Sequence, residues 1–325
     1  MLQRLGFEVR PLSIGALVLG GWRHLLERRN VVIFHWPELR PFRFGAGAVR
    51  FRLRGWVEWG AFAMIAALAR APSIYFVHDH AVHDTSGIQR KVSEWLIGCF
   101  GRLCDRRVVH APVYAERYGA TYLPHPLYWN RAGAVQCDVV RTARAIDAGS
   151  PACSILGAIR PYKGIEGILE HWPAHLRLDI AGYGQPEYVA SLRAIVERRG
   201  LQAVVGIDAR FLANAELSER LDATDILILP HRPGTMLVSG AFFEAAGRVP
   251  LVVARRSPFV DWVSATMRGV HAFDDDAEIG PTILRALNRR SSDDAGADRH
   301  AAVAAFGWQA CVDAYSSFLE IAPEA

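Results

Sequence analysis

Ser154-Ile155-Leu156-Gly157-Ala158-Ile159-Arg160-Pro161-Tyr162-Lys163-Gly164 is the stretch on which the fold of this chain turns. It reads as a short apolar strand that ends in a tight turn and opens a helix carrying Ile165, Ile168, Leu169 and Trp172. Arg160 and Lys163 stand where strand gives way to helix. There the first backbone N–H groups lack helical partners and the helix dipole presents partial positive charge. Two fixed cations at such an end make a seat for a diphosphate. The plainer alternative is a surface turn with two solvated cations, and the rest of the chain has to decide.

The chain has 325 residues, a length that suits two domains of ordinary size. With 51% hydrophobic and 22% charged residues it is globular rather than disordered. Net charge is only +4, yet Arg40, Arg43, Arg50, Arg52 and Arg54 crowd one stretch. That crowding points to a local anionic partner, either lipid headgroups or a phosphorylated substrate. Basic residues do not spread over one continuous face, which disfavours nucleic acid. Five cysteines (Cys99, Cys104, Cys137, Cys153 and Cys311) contain no CxxC pair and are odd in number, so a reducing cytoplasm is expected and no metal site. No signal peptide stands out in Ile14–Trp22, and Gly55–Ala71, interrupted by Glu58, is shorter than the roughly 20 residues that span a bilayer.

Taken in order, Leu2–Pro11 reads as the tail of a helix running into a strand, Phe7-Glu8-Val9-Arg10, with Gly6 as the stop. An α/β domain normally opens with a strand before such a helix. The first strand is therefore expected to be missing or to lie upstream. Val31–Glu38 is a strand of buried type closed by Pro37, which puts His35 and Glu38 at its carboxyl end, the end where open parallel sheets bind ligands. A strand-end histidine bonded to backbone is the alternative. Gly45–Arg70 mixes arginines with aromatic residues, a mixture that suits a bilayer interface or a helix packed on a core; from Trp56 onward the apolar spacing fits a helix, read as core-packed, and the arginine run before it is read as interfacial.

Ser73–Val77 is the next strand, and it runs into His78-Asp79-His80-Ala81-Val82-His83-Asp84. A carboxylate beside a histidine can be tuned to take a proton from a hydroxyl, and that chemistry suits this cluster better than a metal does. A polar loop capping the following helix, Ile88 to Leu103, is the other reading. Arg107–His110 and Thr121–Leu123 are short strands, followed by the aromatic loop Leu127-Tyr128-Trp129-Asn130 and an interdomain linker over Arg131–Pro151.

The second half restarts a strand–helix alternation. Its strands fall at Cys153–Gly157, Leu176–Ala181, Ala203–Ile207 and Ile226–Pro230, with Pro250–Ala254 closing the unit, and its helices at Gly164–His171, Glu187–Arg199, Ala215–Ala223 and Ala241–Gly247. Gly182-Tyr183-Gly184 is a nucleotide-side turn on this reading. Ser239 and the amides of Gly240 and Ala241 open the last of these helices as a second anion seat, and Glu244, one turn in, can bond a ribose or sugar hydroxyl or simply flank the helix. Arg289–Arg299 reads as a loop and Trp308–Leu319 as a final amphipathic helix.

His35-Trp36-Pro37-Glu38, His78-Asp79 through His83-Asp84, Gly157 through Gly164, and Leu229-Pro230 through Ser239-Gly240 follow one another in a familiar order. From about Val31 to Ala254 the chain resembles the bacterial GT-B glycosyltransferases of exopolysaccharide assembly, above all the xanthan-type lipid-linked β-1,4-mannosyltransferases, which use GDP-mannose. Those proteins show an HWPE strand end, an HNxxxHE loop, a G-x-IRPYKG turn and an LPY…SGT loop. The resemblance implies an α/β fold of two Rossmann-like domains facing across a cleft, an acceptor-side domain over 1–150 and a nucleotide-sugar domain over 151–325 that includes the final helix.

The resemblance further implies an inverting transferase that moves a hexose, with mannose from GDP-mannose expected, onto a polyprenyl-diphosphate-linked oligosaccharide at the inner-leaflet membrane surface. Such a protein is cytoplasmic and peripherally associated with the inner membrane. Arg160, Lys163 and Gly164 would hold the donor diphosphate, Ser239 and Gly240 would add amide contacts, and Glu244 would bind the ribose or the donor sugar. The nucleotide-sugar is a co-substrate, and no other cofactor or metal is implied. Asp84 is expected as the base, oriented by His83, with Glu38 second, while His35, His78 and Asp79 line the acceptor side. Four departures stand out: Asp79 replaces Asn, Asp84 replaces Glu, Ala241 replaces Thr, and the segment from Glu244 to Pro250 is a residue short, so that Glu244 or Phe243 holds the acidic position. A UDP-sugar donor on the same fold, or a non-catalytic nucleotide-sugar or lipid binder, are the alternative readings.

Overall fold

The computed structural model describes residues 2–45, 48–129, 146, 150–232, 234, 236–291 and 293–319. They form two compact units. The first gathers the described residues of 1–124, 234–238 and 311–325, and the second those of 125–233 and 239–310.

The first unit is built on a parallel sheet of β1 (Val32–His35), β4 (Ser73–Phe76), β5 (Arg106–Val109) and β6 (Thr121–Tyr122), in that spatial order. Between β1 and β4 the chain makes an antiparallel pair, β2 (Phe42–Gly45) with β3 (Ala48–Phe51), and then the helix Leu53–Leu68. β4 is buried along its whole length, as a central strand covered on both faces must be. The helix Gly87–Leu103 returns the chain to β5 and buries Leu96, Ile97 and Phe100.

The second unit carries six parallel strands: β7 (Cys153–Leu156), β8 (Leu178–Ala181), β9 (Val205–Asp208), β10 (Ile226–Leu229), β11 (Leu251–Arg255) and β12 (Val270–Phe273). Their spatial order is β9-β8-β7-β10-β11-β12. The chain winds outward from β7 in one direction and then, from β10, in the other. In such a doubly wound sheet the crevice at the reversal, beyond the carboxyl ends of the two middle strands, is where ligands bind. Here those strands are β7 and β10. A core of Ile155, Ile168, Leu169, Trp172, Ile180, Leu192 and Ile228 holds the helices Ile165–His171 and Pro186–Arg198 against this sheet.

Several expectations need correction. Phe7–Arg10 form no strand; Val9 is exposed, and Glu8 pairs with Arg10 at 2.7 Å instead of offering a face to a sheet. β11 does not close the second unit, because β12 pairs beside it in parallel register. The Arg289–Arg299 segment is a loop only at its start. A helix runs over Asp294–Phe306, and Asp298 accepts the backbone N–H groups of Arg268 and Gly269 at 2.7 and 2.6 Å. From Cys311 onward the final helix belongs to the first unit, where Tyr315 stacks on Phe76 and Phe318 joins the cluster of Ile74, Val108 and Leu123. The linker read over Arg131–Pro151 lies outside the described residues except at 146, 150 and 151.

Candidate functional site

At the end of β7 the backbone turns at Gly157 (φ +89°), and at the end of β8 at Gly182 (φ +140°). The two turns touch. A Cβ on Gly182 would lie 2.2 Å from the Gly157 carbonyl oxygen, so only glycine allows this approach. Beyond Gly157, Ile159 donates its N–H to the Tyr183 carbonyl at 2.8 Å, which fixes the direction in which the chain enters the Arg160–Gly164 turn.

Lys163 closes that turn. Its ammonium is buried and donates to the Leu156 carbonyl at the end of β7 at 3.2 Å. Burial lowers its pKa to about 8, so the amine still carries its charge at neutral pH. The half-buried Arg160 makes no ion pair with any described side chain. A third cation, which the sequence reading passed over, is Arg232: it pairs with Glu166 and donates its backbone N–H to the Tyr162 carbonyl at 3.1 Å.

Past β10 and the loop that follows it, the chain reaches Ser239, the residue before the short helix Gly240–Ala245. Its hydroxyl is buried and has no hydrogen-bond partner, although a serine at this position usually caps its helix. A buried hydroxyl left without a partner is costly, and a ligand oxygen would relieve it. Phe243 sits fully buried, stacked on His125 with ring centroids 4.3 Å apart and packed edge-on against Phe306, whereas Glu244 is half-buried. The hydroxyl of Tyr128 lies 4.0 Å from where a Gly240 side chain would begin, and the sequence offered no signal for that approach.

In the first unit, parallel pairing places His35 of β1 opposite Phe76 of β4, so the residues just beyond both strands converge. His35 Nδ1 and His78 Nε2 lie 2.9 Å apart, and Trp36 stacks on His78 at 4.0 Å. Trp36 adopts a left-handed backbone (φ 52°). Its indole N–H donates to Asp79.

Glu38 is 1% exposed; one carboxyl oxygen accepts the Tyr75 hydroxyl at 2.8 Å and the other has no partner. Burial pushes Glu38 up to about 7. Asp79 rises to about 8, through burial first and the neighbouring Glu38 charge second. His83 Nε2 meets Asp79 at 3.3 Å, and burial lowers this histidine to about 4. At neutral pH the pair is a carboxylic acid and a neutral imidazole rather than an ion pair. Asp84 is exposed, with a left-handed backbone (φ 58°).

The structure thus gathers His35, Glu38, His78, Asp79 and His83 at one strand end. One carboxylate that meets His83 is Asp79, a contact the sequence reading did not name. Part of the Pro230–Gly240 loop also belongs here: Met236 bridges Asp79, Leu237 donates to the His78 carbonyl at 3.2 Å, and Arg90 donates to the Gly234 carbonyl at 2.8 Å. Among the described residues no three His, Cys, Asp or Glu side chains gather as metal ligands.

No family model and no curated protein matches the chain by sequence. Solved structures match by fold. HepE of Anabaena, in complex with UDP and glucose, is 12% identical with a TM-score of 0.64 over 96% of this chain and 84% of its own. Sucrose-phosphate synthase from Thermosynechococcus elongatus is 17% identical with a TM-score of 0.60 over 82% and 70%. A glycosyltransferase from Rickettsia africae is 11% identical, also at 0.60, over 97% and 83%. The chain has the two-domain GT-B fold of these proteins.

Proposed function

We propose that this protein is a glycosyltransferase that uses a nucleotide-sugar donor held by its second unit. One observation carries the reading: Arg160 and Lys163 stand in the turn just beyond the carboxyl end of β7, one of the two strands at the sheet's reversal, and the orphaned Ser239 hydroxyl opens the helix that follows β10, the other. That is a cationic, hydrogen-bonding seat where this topology binds ligands. Solved neighbours of the same fold hold UDP or UDP-glucose, which agrees with a nucleoside diphosphate at such a seat.

In the reaction proposed, an acceptor hydroxyl oxygen attacks the anomeric carbon. The bond from that carbon to the diphosphate oxygen breaks, and the diphosphate leaves with the electron pair. Arg160 and Lys163 neutralise the charge that develops on it, a role that needs no metal. The acceptor proton passes to Asp84. Glu38 and Asp79 are too buried for a substrate hydroxyl to reach, while Asp84 is exposed, so Asp84 is the better base and the buried pair shapes the loop that presents it. Glu244 serves a ribose or sugar hydroxyl, and His35 and His78 face the acceptor.

GDP-mannose and a polyprenyl-diphosphate-linked oligosaccharide are the substrates that the motif order supports. A UDP-sugar is the second reading, favoured by the UDP found in HepE. The test is a transfer assay with each donor and a lipid-linked acceptor, with and without EDTA. Metal-independent release of nucleoside diphosphate, coupled to a longer saccharide, is expected. Absence of transfer from every donor would overturn the reading.

A further inference from the structure

At the edge of the second sheet away from Arg160 and Lys163, the amino-terminal ends of β11 and β12 border a cavity of about 480 Å³. That volume falls within the roughly 300–1,000 Å³ of small-molecule sites. The described residues around it bring three arginines, Arg268, Arg289 and Arg290, together with His271, against one acid, Asp294.

Two sides of the fold build this wall. Arg268 stands two residues before β12, and Asp298 fixes the backbone there by accepting the N–H groups of Arg268 and Gly269 at 2.7 and 2.6 Å. From the other side, Arg289 ends the helix Ile279–Arg289 and Arg290 follows it. A basic residue at the end of a helix answers the helix dipole, which accounts for Arg289 or Arg290 taken alone. It does not account for Arg268 and His271 meeting them from the strand side. Both oxygens of Asp294 are engaged, one by the Arg268 guanidinium at 3.1 Å and the other by the Ser291 N–H at 2.8 Å. Arg289 pairs with no described acid. Burial first, and then the charges of Arg289 and of Arg285 one turn earlier, lower the pKa of the half-buried His271. The imidazole is thus neutral at neutral pH, and the wall still carries more positive charge than its acid offsets. A concave wall of one sign concentrates counter-ions.

We propose that this cavity is an anion site separate from the donor seat, one that takes a phosphorylated small molecule with Arg268 and Arg289 on its phosphate oxygens. Guanidinium forks match phosphate oxygens in pairs, so arginine suits such a site better than lysine does. The wall is local and concave, which fits a small molecule rather than the continuous basic face that a nucleic acid needs. The inference rests on this edge of the sheet alone and does not need the transferase reading, so the two can fail separately.

The test is a calorimetric titration with inorganic pyrophosphate of the full chain carrying R160A, which weakens the donor seat, and of the same chain with R268S/R289S added. Saturable binding by R160A, weakened roughly tenfold or more by R268S/R289S, is expected, because charge-assisted contacts are lost. Both substituted arginines are exposed, and an unchanged melting temperature without ligand would show that the added pair leaves the fold intact. R289S alone, which removes a side chain that pairs with no described acid, should weaken binding in the same direction. No saturable binding by R160A, or equal affinity with and without R268S/R289S, would overturn the inference. So would pyrophosphate binding by the wild type that R160A alone abolishes, since the anion would then belong to the donor seat.

Discussion

Both units bury an ionisable side chain just beyond the carboxyl end of a parallel strand, and they do so to opposite effect. Lys163, beyond β7, keeps its proton at neutral pH even though burial lowers its pKa to about 8. Glu38 and Asp79, beyond β1 and β4, also keep protons near neutrality, because burial raises them to about 7 and 8. For an amine the retained proton is a charge, and for a carboxyl it is the loss of one. The second unit therefore keeps a fixed positive charge at the seat proposed for the donor. The first hides Glu38 and Asp79 and leaves Asp84 exposed, which is why the proposed mechanism gives Asp84 the proton. Burial alone says little about function until the sign of the group is considered.

That contrast can be broken by experiment, and the largest effect belongs to the exposed acid. Asp84→Asn is expected to lower turnover by about 10²–10⁴-fold, the usual worth of a general base, with donor affinity unchanged in a binding titration. Wild-type turnover would return the base to the buried pair. Next comes Arg160→Ala, which removes a charge-assisted contact and should weaken nucleoside diphosphate binding by roughly 10- to 100-fold, measured by calorimetry.

The pH dependence sharpens the comparison further. Below about pH 8 Lys163 is protonated before ligand arrives; above it, binding must first recruit a proton. The dissociation constant should then rise by up to about tenfold per pH unit above 8. In Lys163→Met that rise should vanish; a flat wild-type profile would separate Lys163 from the diphosphate.

The smallest effect is on stability. The folded pKa values of Glu38 and Asp79 lie above their unfolded values near 4, so the stability they contribute is complete below about pH 4 and is lost as pH rises through about 7 and 8. Glu38→Gln with Asp79→Asn should melt higher than wild type at pH 9 and no higher at pH 4, at about 2–4 °C per kcal/mol. Equal curves at both pH values would mean that these acids are not held protonated by burial.

The alternation of the second unit was legible because its strands are continuous apolar runs punctuated by Gly157, Gly182 and Pro230, the residues that end strands. β12 was not, since Val270–Phe273 carries His271 and only four residues of pattern. The Asp294–Phe306 helix hid behind a polar start that reads as a loop, and its stabilising Asp298 contacts come from residues about 30 positions earlier. Arg160, Lys163 and Ser239 could be placed just before helices from sequence because their turns are local, whereas Arg232, whose backbone N–H reaches the Tyr162 carbonyl, could not. The Tyr75–Glu38 and His83–Asp79 contacts could not, because they depend on the register of β1 against β4 and on burial, neither of which is local.

The most direct test of the central claim is a thermal-shift titration of the wild-type protein and of Arg160→Ala/Lys163→Met against GDP, UDP, GDP-mannose and UDP-glucose. Ligand at about 100 times its dissociation constant adds roughly 2.7 kcal/mol, which is easily read. The account predicts a clear upward shift of the wild type with the nucleotides of one base and none for the double variant. No shift of the wild type with any of the four, or an equal shift in both proteins, would contradict it.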